Sequence, residues 1–236
     1  MLSIIIPTLN EEKYLPQLLA SIKNQSFSDY EIIVSDGQSE DKTRDVARQA
    51  GCLVVSSGDR RSPAHQRNKG AEQARGETLL FLDADTRLPE GFLQNIYTEF
   101  VARHLGSAGF YLKFDSRKSF YKIYDQVYRC LCFFGQYIKP ASIGVGIMAR
   151  QDLHQAMNGF DETIFVGEDY DYTTRISKVG KFRMIKSSFI YFSPRRLEKE
   201  GCFRVLSKWI KGGAYFIFKG PIRKRIMEYE FGNFDK

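Results

Sequence analysis

Thr78-Leu79-Leu80-Phe81-Leu82-Asp83-Ala84-Asp85 decides how this chain is read. A mostly apolar stretch with strand character runs straight into two carboxylates one residue apart. If the extended backbone persists, alternate side chains point the same way, and Asp83 and Asp85 face one pocket. Two adjacent carboxylates repel unless a positive charge sits between them. A hard divalent cation, Mg²⁺ or Mn²⁺, meets that need and shares its coordination shell with substrate phosphates. The plainer alternative gives Asp85 only the task of capping a helix that opens at Pro89-Glu90-Gly91-Phe92.

The sequence before this stretch alternates in character. Leu2 to Ile6 is a β-branched apolar run closed by Pro7, and reads as a buried strand. Asn10 caps the helix that follows, with Tyr14, Leu15, Leu18, Leu19 and Ile22 as its apolar stripe. Tyr30 to Val34 is a second strand, ending at Ser35-Asp36-Gly37. A helix from Ser39 to Ala50 stops at Gly51, and a third strand runs from Cys52 to Ser56. A helix from Ala64 to Ala74 leads into Thr78–Leu82. Strand alternating with helix in this way predicts a parallel, doubly wound α/β sheet. Ligands of such sheets bind beyond the carboxyl ends of the strands. The polar residues gather there: Thr8, Asn10 and Glu11 after the first strand, Asp36 after the second, Asp83 and Asp85 after the fourth. Asp36-Gly37 also reads as a turn, and Thr8, Asn10 and Glu11 also read as caps. Neither common glycine-rich phosphate loop is present, so bridging by a cation has to take over phosphate neutralisation.

Bulk properties narrow the class. The 236 residues are 43% hydrophobic and 27% charged, which excludes a disordered chain. The net charge of +7 admits nucleic acid, anionic membrane or phosphorylated small molecules as partners. Cys52, Cys130, Cys132 and Cys202 lack the spacing of a zinc cluster or disulfide framework, and read as reduced thiols of a cytosolic protein. The apolar run at Met1–Pro7 is too short for a signal peptide, and no window reaches the roughly 18 apolar residues of a membrane span.

Other stretches carry candidate chemistry. Arg60 to Gly70 is densely basic; Arg67 is its candidate ligand for a phosphate or base edge, while His65 reads as structural. From Phe110 to Tyr137 aromatic and basic residues interleave. Phe120, Tyr121, Tyr124, Val127, Tyr128 and Leu131 fall at helical spacing and read as core, with a basic flank toward a phosphorylated acceptor or a membrane. Ser142 to Arg150 is a strand broken by Gly144 and Gly146, where glycine allows close backbone approach to another chain or a ligand. Glu168 and Asp169 sit at the start of a helix whose dipole favours their charged forms, and an ionised carboxylate there can take a proton from an attacking hydroxyl. Lys181 to Phe192 is a further strand, and Cys202 to Lys211 an amphipathic, basic helix.

Taken in order, Pro7-Thr8-Leu9-Asn10-Glu11-Glu12, Ser35-Asp36-Gly37, Arg67-Asn68-Lys69-Gly70, Leu82-Asp83-Ala84-Asp85, Gly159-Phe160-Asp161-Glu162 and Glu168-Asp169-Tyr170-Asp171 resemble the landmarks of family 2 inverting glycosyltransferases. The resemblance covers residues from about 2 to about 190. It implies a GT-A fold: a Rossmann-like, mostly parallel central sheet flanked by helices, with a C-terminal helical extension. The expected division is a glycosyltransferase domain at 1–192, with a nucleotide-binding half at 1–105 and an acceptor half at 106–192, then a basic extension at 193–236. Pro7, Thr8, Asn10, Glu11 and Asp36 would line the nucleotide pocket. Arg67 would contact the nucleobase, and Asp83 would lie near the ribose and the metal. Asp85 would ligate Mn²⁺ or Mg²⁺, Glu168 and Gly146 would face the sugar, and Asp169 would be the general base. Arg196, with Arg195 beside it, would neutralise the leaving diphosphate. A late histidine ligand of many members has no counterpart after His154, and the Gln-x-x-Arg-Trp string of processive members is missing, which favours transfer of a single sugar. The implied donor is a nucleotide-diphospho-sugar, with uridine the commonest base. The acceptor is a carbohydrate, lipid-linked or small-molecule hydroxyl. Nucleic acid is not expected as a partner. Apart from the resemblance, the amphipathic helix of the basic extension reads first as an ordinary packing helix, with peripheral contact at the inner membrane face as the alternative. Two other readings stay open: a nucleotidyltransferase acting on sugar phosphates, and a non-catalytic basic module for membrane or nucleic acid.

Overall fold

The computed structural model describes residues 1–58, 62–116, 118–138, 140, 142, 144–201, 204, 205, 207, 215 and 220–223. Its first half alternates as the sequence predicts: β1 (Leu2–Thr8), α1 (Leu15–Lys23), β2 (Tyr30–Asp36), α2 (Thr43–Gln49), β3 (Leu53–Ser56), α3 (Pro63–Glu72) and β4 (Thr78–Leu82). These four strands are parallel, in the order β3-β2-β1-β4. Every residue of β1 and β4 is buried, so both strands need cover on both faces. Alternation along the strands divides that cover. Ile4, Ile6, Leu80 and Leu82 pack with Leu15, Leu18, Leu19 and Ile22 of α1 on one side. Ile5, Ile33, Leu79 and Phe81 pack with Ala64 and Ala71 of α3 on the other. α3 comes in close because Gly70 has no side chain: a Cβ there would stand 2.5 Å from Ile5 Cγ2.

The second half comprises β5 (Thr86–Arg87), α4 (Phe92–Ala102), β6 (Ser107–Phe114), α5 (Ser119–Ile138), β7 (Gly146–Arg150), α6 (Gln151–Ala156), α7 (Glu168–Ile176), β8 (Phe182–Phe192) and α8 (Arg195–Glu200). The strand broken by glycine shortens to β7 and inserts antiparallel between β4 and β6. β6 and β8 pair in parallel, and β5 returns antiparallel against β8, giving the order β3-β2-β1-β4-β7-β6-β8-β5. A parallel wedge thus continues into a mixed half, and one sheet carries both.

Two local expectations change. α1 starts at Leu15 with Tyr14 in the cap position, so Asn10 does not cap it. Asn10 instead adopts φ 57°, a left-handed conformation asparagine tolerates, and its Oδ1 accepts the Glu40 N–H. The apolar stripe expected to be core on α5 is core on one side only. Tyr121 is buried and Tyr124 and Tyr128 half-buried, but Val127 and Leu131 are 54% and 67% exposed. The amphipathic helix expected at Cys202–Lys211 lies mostly outside the described residues. Among those described, no helix is long and apolar enough to cross a membrane, and Cys52, Cys130 and Cys132 are free thiols.

Candidate active site

Because β1, β2 and β4 run the same way, their carboxyl ends open on one side of the sheet, and the loops there hold the acids. Thr8 at the end of β1 donates its hydroxyl to Asp36 Oδ2 at 3.0 Å. Ser39 donates to the same oxygen at 2.5 Å, and its N–H to Asp36 Oδ1 at 2.9 Å. Gln66 of α3 donates to the Thr8 carbonyl at 2.6 Å. The β1 and β2 loops are therefore fixed to each other, and Pro7 is buried in β1 beneath them.

Asp83 and Asp85 do not continue the strand. β4 ends at Leu82 and the chain turns, with the Ser193 N–H donating to the Asp85 carbonyl at 3.1 Å. The two acids consequently diverge to two different arginines. Arg67, buried on α3, donates to Asp83 Oδ1 at 2.9 Å and to Glu168 Oε1 at 2.9 Å, with a longer contact to the Gly144 carbonyl at 3.3 Å. Its guanidinium lies 5.4 Å from the centre of the Phe160 ring. Arg67 thus orders acids that come from two separate parts of the chain, after β4 and at the start of α7. Asn68 beside it binds the Phe160 carbonyl and N–H at 2.9 and 2.8 Å, fixing the turn that carries Phe160.

Asp169, in the first turn of α7, is held by two N–H groups. Oδ2 accepts from Gly144 at 2.5 Å and Oδ1 from Tyr170 at 2.8 Å. Burial first, then the charge of Glu168, pushes its carboxyl up to about 7, against the opposing pull of Arg67 and the Gly144 N–H. Gly144 has to be glycine: a Cβ there would stand 2.8 Å from Arg67 Nη2 and 3.2 Å from Asp169 Oδ2. Gly146, the glycine singled out in the sequence, faces elsewhere, into Ile190 and Phe110 of the core. The close approach belongs two residues earlier.

A second arginine, Arg195 at the start of α8, closes the other side. It donates to both oxygens of Glu11, at 2.9 and 2.8 Å, while its Nε lies 3.0 Å from Asp85 Oδ2 and its guanidinium stacks 4.3 Å from the Tyr14 ring centre. Burial nevertheless pushes Glu11 up to about 7, with Asp85 and Asp83 adding repulsion. Burial likewise raises Asp83 to about 6. The side chain of Arg196, the residue favoured from sequence, lies outside the described set. Tyr14 under the guanidinium was read only as helix stripe.

Glu11, Asp83, Asp85, Glu168 and Asp169 thus face Arg67 and Arg195: five carboxylates against two guanidiniums. The surplus of negative charge and the hard oxygen donors suit a divalent cation. Among the described residues no three acidic, histidine or cysteine side chains converge into a complete metal cage. A cation that completes its shell with substrate phosphate oxygens fits such a site.

Comparison with known proteins agrees with this geometry. Over 101 residues, 40% of this chain, the sequence is 37% identical to the GalNAc(5)-diNAcBac-PP-undecaprenol beta-1,3-glucosyltransferase of Campylobacter jejuni. The match takes in 33% of that protein, so the chain corresponds to about a third of the curated relative's length. The fold superposes on Staphylococcus aureus TarS 1-349 in complex with UDP-GlcNAc, with a TM-score of 0.62 and 22% identity over 81% of this chain and 58% of that one. It also superposes on the mannosyltransferase PcManGT of Pyrobaculum calidifontis in complex with GDP-Man and Mn²⁺, with a TM-score of 0.65 and 21% identity over 89% and 64%. Residues 3–153 match the profile described as glycosyl transferase family 2, a span that runs from β1 into the first half of α6 and includes the Asp83–Asp85 turn; the chain belongs to that family and carries its GT-A fold.

Proposed function

We propose that the chain is an inverting glycosyltransferase that moves one sugar from a nucleotide-diphospho-sugar to an acceptor hydroxyl, with Asp169 as general base. The observation that carries this reading is Asp169 beside Glu168 at the start of α7, with Glu168 joined to the acid turn at Asp83–Asp85 through the shared guanidinium of Arg67. Burial and Glu168 raise the Asp169 carboxyl toward neutral pH, where a general base transfers protons best. The acceptor oxygen attacks the anomeric carbon as Asp169 takes its proton. The bond from that carbon to the diphosphate oxygen breaks, and its electron pair leaves with the nucleoside diphosphate. Attack from the face opposite the leaving group inverts the anomeric configuration.

The remaining residues supply position and charge. Thr8, Asn10 and Asp36, tied together on the nucleotide side, shape the pocket for base and ribose. Asp85 and Asp83 would hold Mn²⁺ or Mg²⁺, and such a cation would neutralise charge on the departing diphosphate. Arg195 adds a guanidinium on the same side. The GDP-Man and Mn²⁺ bound to the Pyrobaculum enzyme and the UDP-GlcNAc bound to TarS support the donor class. The undecaprenol diphosphate in the name of the Campylobacter relative supports a lipid-linked acceptor, and with it work at the inner membrane surface.

The test is turnover of UDP-GlcNAc and GDP-mannose with Mn²⁺, following nucleoside diphosphate release and the anomeric configuration of the product by NMR. Release of the nucleoside diphosphate with inversion is expected, and release of pyrophosphate would indicate a nucleotidyltransferase. Asp169→Asn is expected to lose about three orders of magnitude in kcat while keeping donor affinity. Unchanged turnover in that variant removes Asp169 from the role.

A further inference from the structure

We infer that the outer face of α5 is a docking surface for an anionic phospholipid bilayer, with a headgroup phosphate seated in the basic pocket beside it. This rests on the membrane-surface part of the proposed function and names the face that would carry it, while vesicle binding can fail without touching the reading of glycosyl transfer. α5 is apolar on both sides. Its inner side packs Tyr121, Tyr124 and Tyr128 toward β6 and β8. Its outer side exposes Ile123 at 65%, Val127 at 54%, Leu131 at 67% and Phe134 at 64%. Spaced at four, four and three residues, these form one continuous stripe rather than scattered surface residues. A contiguous apolar stripe on a folded surface marks an interaction site.

Phe133, 39% exposed, carries the apolar face round to a basic pocket on the far flank of the helix, and that flank says what covers it. Against α5 lies a pocket of about 120 Å³ lined by Lys113, Arg129, Lys186, Ser187 and Ser188, together with Asp125. Aromatic rings hold its three cations in place: Lys113 Nζ is 3.6 Å from the Phe189 ring, Arg129 is 5.4 Å from Tyr111, and Lys186 is 5.9 Å from Phe133. Asp125, the acid in the pocket, accepts the Phe114 N–H and is pushed above the usual carboxylate range by burial. Lys122 adds an exposed cation to the same flank near the start of the helix, while Lys118 just before it is paired with Glu198. Cations and hydroxyls beside an apolar stripe match a phosphate headgroup above acyl chains. A second copy of the chain matches less well, because a two-fold contact through this stripe sets the basic rims against each other.

The placement joins the surface to the site. A cleft lined by Leu112, Phe114, Tyr124, Tyr128, Val145 and Phe192 runs under α5. Val145, at one end of the cleft, adjoins Gly144, whose N–H holds Asp169. The cleft beneath the helix thus ends one residue from the loop that carries the candidate base.

The test is flotation of the full chain with vesicles of phosphatidylglycerol and phosphatidylcholine, and with phosphatidylcholine alone. The full chain is expected to float with the anionic vesicles, about tenfold or more tighter than with neutral ones. Val127→Asp with Phe134→Asp is expected to weaken flotation by about tenfold or more. Lys113→Glu with Lys186→Glu is expected to abolish the preference for the anionic lipid. All these positions are exposed, and melting temperature together with far-ultraviolet circular dichroism verifies that the variants fold. Flotation of the Val127→Asp, Phe134→Asp variant at wild-type strength would overturn the inference by placing lipid contact elsewhere. A solution dimer that the same variant splits, with no flotation of the wild type, would overturn it in favour of a second copy.

Discussion

Removing the guanidinium of Arg195 while keeping its stem, as Arg195→Met, tests the charge balance of the site without depending on turnover. Burial lifts Glu11 from 4.5 to about 7 although Arg195 pulls the other way. The folded protein therefore holds the Glu11 proton more tightly than the unfolded chain does. Stability from this group is complete below pH 4.5 and is lost as pH rises toward 7, by about 3 kcal/mol at roughly 1.4 kcal/mol per pH unit. Arg195 limits that loss through two hydrogen bonds to Glu11 and an ion pair to Asp85. Without it, Glu11 and Asp85 face each other uncompensated. Breaking a buried pair from one side costs about 3–5 kcal/mol when the remaining charge has no other relief. At pH 5 relief exists, because Glu11 is protonated in the folded state, and the loss should fall to about 1 kcal/mol, the size of ordinary hydrogen bonds.

For a chain of this length about 1 kcal/mol corresponds to some 2–4 °C. Thermal unfolding followed by circular dichroism should therefore show Arg195→Met melting about 6–20 °C below wild type at pH 8, but only about 2–4 °C below at pH 5. Mn²⁺ at pH 8 should raise the melting temperature of the variant more than that of wild type, since a cation then has Glu11 and Asp85 to itself. An equal loss at both pH values, with no selective rescue by Mn²⁺, would refute the argument. It would mean that the Glu11–Arg195–Asp85 contacts are surface geometry without energetic coupling.

Two further predictions rest on the other arginine. The kcat/KM of the proposed transfer should rise with pH on an acid limb centred near 7, because the ionised form of Asp169 is the active one and burial has raised its carboxyl to about 7; an acid limb near 4 would show that the base is solvated. Gly144→Ala should place a methyl 2.8 Å from Arg67 Nη2 and 3.2 Å from Asp169 Oδ2, so turnover should fall at least about tenfold while the melting temperature moves by only a few degrees. Wild-type activity in that variant would mean that the Gly144 loop is free to retreat.

The parallel half of the fold was legible because its strands are buried on both faces and its helices are punctuated. Leu2–Thr8 and Thr78–Leu82 are continuous apolar runs, and a continuous run admits only a central strand or a buried helix. The second half resisted for a related reason. The alternation that marks α5 as amphipathic reports which residues share a side, not what that side meets. Tyr121 and Tyr128 met β6 and β8, whereas Val127 and Leu131 met solvent. The direction of β7 was equally hidden, since a short strand broken by glycine reads the same whichever way it inserts.

At the site, sequence identified acids well and their partners poorly, and the reason is physical. A carboxylate at a strand end advertises itself through local spacing, as Asp83 and Asp85 do. What sets its charge is an arginine that arrives from far along the chain: Arg67 reaches Glu168 across 101 positions and Arg195 reaches Glu11 across 184. No local pattern encodes such a contact. The spacing argument for Asp83 and Asp85 also assumed an extended backbone, and the turn at Ala84 sends the two acids to separate guanidiniums. That division has a chemical consequence. In the proposed transfer, one arginine holds Glu168 beside the candidate base and Asp83 on the cation side, and the other holds Glu11 and Asp85. A change in Arg195 should therefore act on donor and cation through Asp85, whereas a change in Arg67 should act both on proton transfer through Asp169 and on the cation through Asp83.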